Sequence, residues 1–359
     1  MGFGLAPGLS ASGISRTGSR YSAVILGDTH YDVDPADVYH SFYDQPDERL
    51  NRIQRSEFAR NGEMWKDRCP RLVKRASLLP DARTRFVLQM GDLIQGDCGN
   101  PEVHRKMLDD SVEMLKSYFP DLPFVTVVGN HDVRGTGADS AYKEYMMPKM
   151  SGELGKEIRK TTFSYDAGDD AFIVVDFNDP DDAEIEKLLD DTKGARHTFI
   201  VSHGPIIPTD TNSCRWFFHG WNTEYHTGAR RHFRRLFAER EAICLCGHVH
   251  RTDFADWYGD GGRITQLTMN SVWSSEKAGT LQISHRGADE YGEARKQGAG
   301  KINNYVDETA LFDEYRPGLR SYMRCPCAGS YKLNVSAGRV FVDYYPGDSV
   351  SPGMRFRLR

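Results

Sequence analysis

Asp28 and His30 are separated by one residue, and so are His248 and His250. Side chains at that spacing can converge on one point when the backbone turns just beyond a strand, and carboxylate and imidazole are groups that hold metal ions. Three further blocks carry the same residue types: Gly91-Asp92, Gly129-Asn130-His131-Asp132 and Ser202-His203-Gly204-Pro205. Taken singly, each is ordinary. An Asp after a strand often caps a helix, and a lone His is more often a satisfied core or surface residue than a ligand. Five blocks in succession, all carrying Asp, Asn or His, together make a donor set.

Each block follows a short apolar run. Residues 23–26 lead into Gly27-Asp28-Thr29-His30, 86–90 into Gly91-Asp92, and 124–128 into Gly129-Asn130. Residues 199–201 lead into Ser202-His203, and 243–246 into Gly247-His248-Val249-His250. Continuous apolar runs of this length read as fully buried strands. Helix-like stretches lie between several of them, at roughly 47–79, 101–118, 183–189 and 229–238. Strands alternating with helices predict a layered α/β architecture. Open α/β sheets place their sites beyond the carboxyl ends of strands, where all five blocks fall.

Residues 163–165 and 172–176 read as a hairpin around Gly168, and 331–335 and 340–345 as another around Ala337-Gly338. These are expected to extend a second sheet, giving a β-sandwich flanked by helices. The polar, Gly-rich stretch 285–304 reads as a surface loop. The expected organisation is an arm or signal remnant over 1–20, then one domain over 21–359 with insertions at about 34–80 and 206–228.

With 39% hydrophobic residues the chain can bury a sizeable core. A net charge of −5 gives no global pull toward nucleic acid or anionic membrane, so no nucleic-acid polymer is an expected partner. Any phosphate must be recognised locally. No apolar run is long enough to span a bilayer. Residues 2–14 are small and apolar and resemble the tail of a secretory signal, with small residues around Ala11 but no basic start. Export to the periplasm or exterior and a cytoplasmic protein with a flexible arm both stay open. Seven cysteines are too sparse for a disulfide-built fold, and Cys244 and Cys246 read as buried strand thiols.

The order D-x-H, G-D, G-N-H-D, a His before Gly-Pro, then G-H-x-H resembles the calcineurin-like metallophosphoesterases over about residues 21–250. The resemblance implies a four-layer α/β/β/α fold and a dinuclear metal-dependent phosphoesterase. Carried over position by position, it implies that Asp28, His30 and His250 bind one ion and that Asn130, His203 and His248 bind the other. Asp92 would bridge both. His131 would face the substrate, stabilising the transition state or protonating the leaving oxygen; holding the loop is the alternative. Asp132 would orient that imidazole or form the turn.

The physical logic supports this arrangement. Two cations roughly 3.5–4 Å apart need a shared anion, and a carboxylate can offer one oxygen to each. A mixed nitrogen and oxygen donor set suits Mn, Fe or Zn rather than Ca. Water bridging two such ions loses a proton near neutral pH and becomes the nucleophile. One departure is informative. Purple acid phosphatases carry a Tyr three residues after the Gly-Asp motif and lack the His of the first block, whereas Gln95 and His30 stand here. That argues against the purple subclass.

The Asp-Thr-His opening leans toward diesters of the cyclic-nucleotide kind, with small phosphomonoesters as the alternative. A non-catalytic metal-binding scaffold is a second class, and a mononuclear site a third. Trp216, His219 and Trp221, in a segment without strand or helix period, are candidate walls for a leaving group. Arg230, Arg231, Arg234 and Arg235 with His232 form a basic cluster, read as a solvated helix face or a phosphate contact. Oligomeric state is not legible.

Overall fold

The computed structural model describes residues 20–33, 38–209, 217–272, 284–286 and 308–359. The signal-like stretch, Trp216, Cys214 and nearly all of the polar 285–304 loop lie outside the described residues. Chain order runs β1 (Tyr21–Leu26), α1 (Glu48–Trp65), α2 (Arg68–Ala76), β2 (Thr84–Gln89), α3 (Pro101–Tyr118), β3 (Phe124–Thr126) and α4 (Ala138–Leu154). It continues through β4 (Phe163–Ala167), β5 (Asp170–Val175), α5 (Asp182–Asp191), β6 (Thr198–Ser202), α6 (Glu224–Glu239) and β7 (Ile243–Cys246). Then follow β8 (Thr252–Gly259), β9 (Gly262–Thr268), β10 (Ser284–Arg286), α7 (Glu308–Tyr315), β11 (Leu319–Cys325), β12 (Gly329–Ser336), β13 (Arg339–Pro346) and β14 (Met354–Arg357).

The strands form two sheets, one in the order β14-β13-β12-β1-β2-β3 and the other β10-β11-β8-β9-β7-β6-β5-β4. Strands β1, β2 and β3 run parallel in the first, and β5, β6, β7 and β9 in the second. Alternation along the strands shows why their sequences are apolar throughout. In β5, Phe172 and Val174 face the core shared with β1 and β2, while Ile173 and Val175 face a second core under α5 and α6. Phe199 and Val201 of β6 split from Ile200 in the same way, and Ile243 and Leu245 of β7 split from Cys244 and Cys246. The sheets meet through aromatic rings: Phe86 packs edge-on to Phe172 at 5.4 Å, and within the second sheet Phe172 stacks on Phe199 at 4.3 Å. Helix α2 covers β1 and β12, and α5 and α6 cover the opposite sheet. The mixed α/β sandwich with flanking helices is the architecture expected. All six cysteines among the described residues are buried.

Helix starts follow capping chemistry. Asp47 accepts the Arg49 and Leu50 N–H groups at the start of α1, and Asn100 caps α3 with Pro101 in the first turn. Within the 34–80 stretch the described chain folds into α1 and α2.

Three features differ from the sequence reading. The β12–β13 pair joins the first sheet, because β12 runs antiparallel beside β1 with Ala23 opposite Leu333. Helix α4 has no counterpart in the reading, although its buried Tyr142, Met146, Met150 and Leu154 recur every four residues. Pro148 and Gly152 lie inside that run and obscure it. The Arg cluster divides: Arg231 and Arg235 are exposed, as on a solvated face, while Arg230 and Arg234 are buried. Arg234 is buried between Asp260, Glu314, Trp257 and Tyr315, and Arg230 donates to the His219 carbonyl at 2.7 Å.

Candidate metal centre

The loops beyond β1, β2, β3, β6 and β7 close on one point between the carboxyl edges of the two sheets. Backbone hydrogen bonds fix their register. Thr29 and His30 both donate to the Asp92 carbonyl, at 3.0 and 2.8 Å, and Tyr31 donates to Leu93 at 3.0 Å. Gly247 donates to the His203 carbonyl at 3.0 Å, and Val272 to that of Asp28 at 3.0 Å. Four of the presumed ligands stand in the left-handed region: His30 (φ 43°), Asp92 (φ 48°), His248 (φ 72°) and His250 (φ 50°). Non-glycine residues rarely adopt this conformation, and it concentrates where function demands it.

Ligand-type atoms of Asp28, His30, Asp92 and His250 all lie within 4.8 Å of one another, and so do those of Asp92, His203 and His248. Asp92 belongs to both groups. Its Oδ2 stands 3.1 Å from His203 Nε2 and 3.7 Å from His30 Nε2, while its Oδ1 accepts the His131 N–H at 2.8 Å. Asp28 Oδ2 lies 3.0 Å from His250 Nε2, and the Asp28 carboxylate accepts the His248 N–H. His203 Nδ1 donates to the Met90 carbonyl at 2.6 Å, which turns Nε2 toward the centre. Asn130 Oδ1 is buried and has no hydrogen-bond partner within the protein. An orphaned amide oxygen beside this cluster is what a metal ligand looks like without its ion.

The electrostatics agree. Burial lowers the proton affinity of His30 and His248 well below the ordinary range, leaving the neutral imidazoles that bind metal. Burial acts the same way on His203, but the Asp92 and Asp28 carboxylates outweigh it and carry that imidazole up to about 9. Burial opposes ionisation of Asp92 as well, yet His203 and His131 hold its carboxyl well below the usual range. The pocket is thus built to attract cations. The residues fit two transition-metal ions.

His131 donates from Nδ1 to the Gln95 carbonyl at 2.8 Å and sets its ring edge-on to His30. Its Nε2 faces Arg134 Nη1 at 3.3 Å, and Arg134 Nε stands 2.6 Å from the Asp97 carboxylate. Burial first, and then Arg134, lower the His131 imidazole to about 3, so the ring is neutral. Asp132 does not touch that imidazole through its carboxylate. It accepts the Gly129 and Ile94 N–H groups at 2.8 and 3.2 Å and so forms the turn. Of the proposed leaving-group wall, His219 is buried, stacked on Phe233 and 3.0 Å from Asp182, while Trp221 is exposed. No contact described for His219 involves the metal centre.

The sequence reading missed the braces. Gln89 holds both Gly91 N–H and Gly91 carbonyl with its amide, at 3.0 and 2.7 Å; a lone polar residue ending an apolar strand was the available signal. From α1, Asn61 Nδ2 and Trp65 Nε1 both donate to the His30 carbonyl, at 2.9 and 2.7 Å. Their spacing of four residues puts both on one helix face. Arg134 stands two positions past Asp132 and could have been noticed.

The calcineurin-like phosphoesterase profile matches residues 21–252, and the chain belongs to that family. Family and paired donor groups together make this a metallophosphoesterase domain with a dinuclear site. Among solved structures, purple acid phosphatase PPD1 from yellow lupin (Lupinus luteus) seeds superposes with a TM-score of 0.54 at 13% identity, over 95% of this chain and 54% of that one. PhoD superposes with a TM-score of 0.50 at 10% identity, over 96% of this chain and 69% of that one. At these identities the likeness shows the fold alone, and the chain spans about half the length of the lupin protein. No curated protein sequence matches it significantly. Among the described residues, no helix is long and apolar enough to cross a membrane.

Proposed function

We propose that the chain hydrolyses phosphate esters with two transition-metal ions, Mn, Fe or Zn. Asp28, His30 and His250 would hold one ion and Asn130, His203 and His248 the other, with Asp92 shared between the two donor groups. The observation that carries this reading is the sharing of Asp92 between two donor groups, with the orphaned Asn130 oxygen beside them. When bound, two such ions supply an activated water and neutralise phosphate oxygens. The protein residues do the rest. Gln95 holds the His131 ring edge-on to His30, where both line the cavity beside the donor groups.

A diester is the favoured substrate, with a small monoester as the alternative. A cavity of about 100 Å³ opens against His30, His131 and His250, and Glu57 and Arg60 line its other side. The Asp28-Thr29-His30 opening supports the diester. The test is a panel of diesters and monoesters assayed with Mn, Fe and Zn. A diester should give the highest kcat/KM, and loss of all activity on chelation is expected. Activity untouched by chelation would refute the two-metal reading, and a strong preference for monoesters would refute the substrate assignment.

A further inference from the structure

Helix α1 is tied to the metal centre at the backbone of a presumed ligand, through Asn61 and Trp65 on the His30 carbonyl. Asn61 also donates to Gln95 Oε1 at 3.1 Å, so the same helix is registered against the loop whose Gln95 carbonyl accepts the His131 Nδ1–H. Glu57 lies four residues before Asn61 on that helix, and Arg60 directly precedes it. Both line the cavity with His30, Gln95, His131 and His250. Every lining side chain is polar. Apart from imidazoles, no aromatic or aliphatic side chain borders the cavity among the described residues.

This composition restricts the group that sits beside the phosphate. The apolar side chains that would make a hydrophobic slot for a nucleobase are missing from this lining among the described residues. The volume, about 100 Å³, is also small beside the roughly 300–1,000 Å³ of a site that takes a drug-sized ligand. A carboxylate and a guanidinium facing one small polar space instead match hydroxyl groups, which donate to the first and accept from the second.

Resting on the phosphoesterase reading above, we propose that Glu57 and Arg60 are specificity-determining residues that read the hydroxyls of a small polyol, a glycerol- or sugar-like alcohol esterified to the phosphate. The selectivity lies on α1, outside the five metal-binding blocks.

A symmetric substrate tests this without knowing which ester group departs. With bis(glyceryl) phosphate, either group that enters the cavity is a polyol; bis(4-nitrophenyl) phosphate has no hydroxyls. For Glu57→Gln and Arg60→Ala, kcat/KM on bis(glyceryl) phosphate should fall about ten- to hundredfold, the span of one charge-assisted hydrogen bond. On bis(4-nitrophenyl) phosphate each should stay within about threefold of the native enzyme. Both variants should keep two ions per chain, and the Kd of glycerol 3-phosphate, measured calorimetrically, should rise by a factor similar to the kinetic loss. Equal losses on both esters, or none, would overturn the polyol assignment while leaving the phosphoesterase reading intact. A native protein that binds two ions yet hydrolyses neither ester would overturn both.

Discussion

Replacing Gly129 by Ala is the sharpest structural test of where Asp92 sits. A Cβ at position 129 would lie 2.1 Å from the Asp92 backbone nitrogen and 2.2 Å from its Oδ1. Ordinary contact begins at 3.4 Å, so the carboxylate oxygen would have to retreat by 1.2 Å (3.4 minus 2.2). Metal–ligand distances tolerate only about 0.2 Å, and a misplacement of about 1 Å near reacting atoms typically costs about a hundredfold in rate. Gly129→Ala should therefore lose at least one of two ions per chain and about a hundredfold or more in kcat/KM. Elemental analysis and steady-state kinetics read both. Gly338→Ala is the control, since nothing lies within 4 Å of its new Cβ. Melting of the chelated proteins separates a displaced ligand from a lost fold. Two ions and a native rate in Gly129→Ala would refute the placement of Asp92 at the bridge.

Further outcomes follow from individual contacts. His131→Ala should keep both ions and lower kcat by about 10²–10⁴-fold, as for loss of an acid–base group, whereas His203→Ala should lose metal; a native rate in His131→Ala would remove that residue from the mechanism. Trp65→Phe removes a donor from the His30 carbonyl and should destabilise the chelated protein by about 0.5–1.5 kcal/mol, with weakened binding of one ion seen by calorimetric titration; unchanged melting and unchanged affinity would show the brace to be idle. Burial opposes ionisation of Asp81, but Lys332 and Arg83 outweigh it and hold its carboxyl below the usual range. Its stabilisation is therefore present above about pH 4 and lost as the pH falls through the depressed folded value. Asp81→Asn should lower Tm at neutral pH, and the difference from the native chain should close in acid; a pH-independent difference would contradict this.

The five strand-end blocks were legible because each strand is buried on both faces and its motif begins where the sheet ends. Gly168 marked the β4–β5 turn correctly, with φ 62°. The β8–β9 hairpin carried an equally clear signal that went unread: Asp260-Gly261, with φ of 52° and 86°, is the Asp-Gly pair that favours a two-residue hairpin turn. Sheet membership of β12 was not legible, since nothing local in Tyr331 or Leu333 states that the partner is β1, some three hundred residues away. The roles of Glu57, Arg60, Asn61 and Trp65 were hidden for the same reason. They depend on how the long connection between β1 and β2 docks onto the loops beyond those strands, and no local period encodes that docking. Of the two roles open for Asp132 its carboxylate takes the turn, and the His131 ring is held by the Gln95 carbonyl, on a different loop that sequence adjacency does not point to.

Two ions sharing one carboxylate are the core of the proposed centre, and a crystal structure of the Mn-loaded protein with anomalous data tests that directly. Two anomalous peaks roughly 3.5–4 Å apart should flank the Asp92 carboxylate, with Asn130 Oδ1, His203 and His248 around one and Asp28, His30 and His250 around the other. A single peak, or two peaks with Asp92 bound to only one of them, would contradict it.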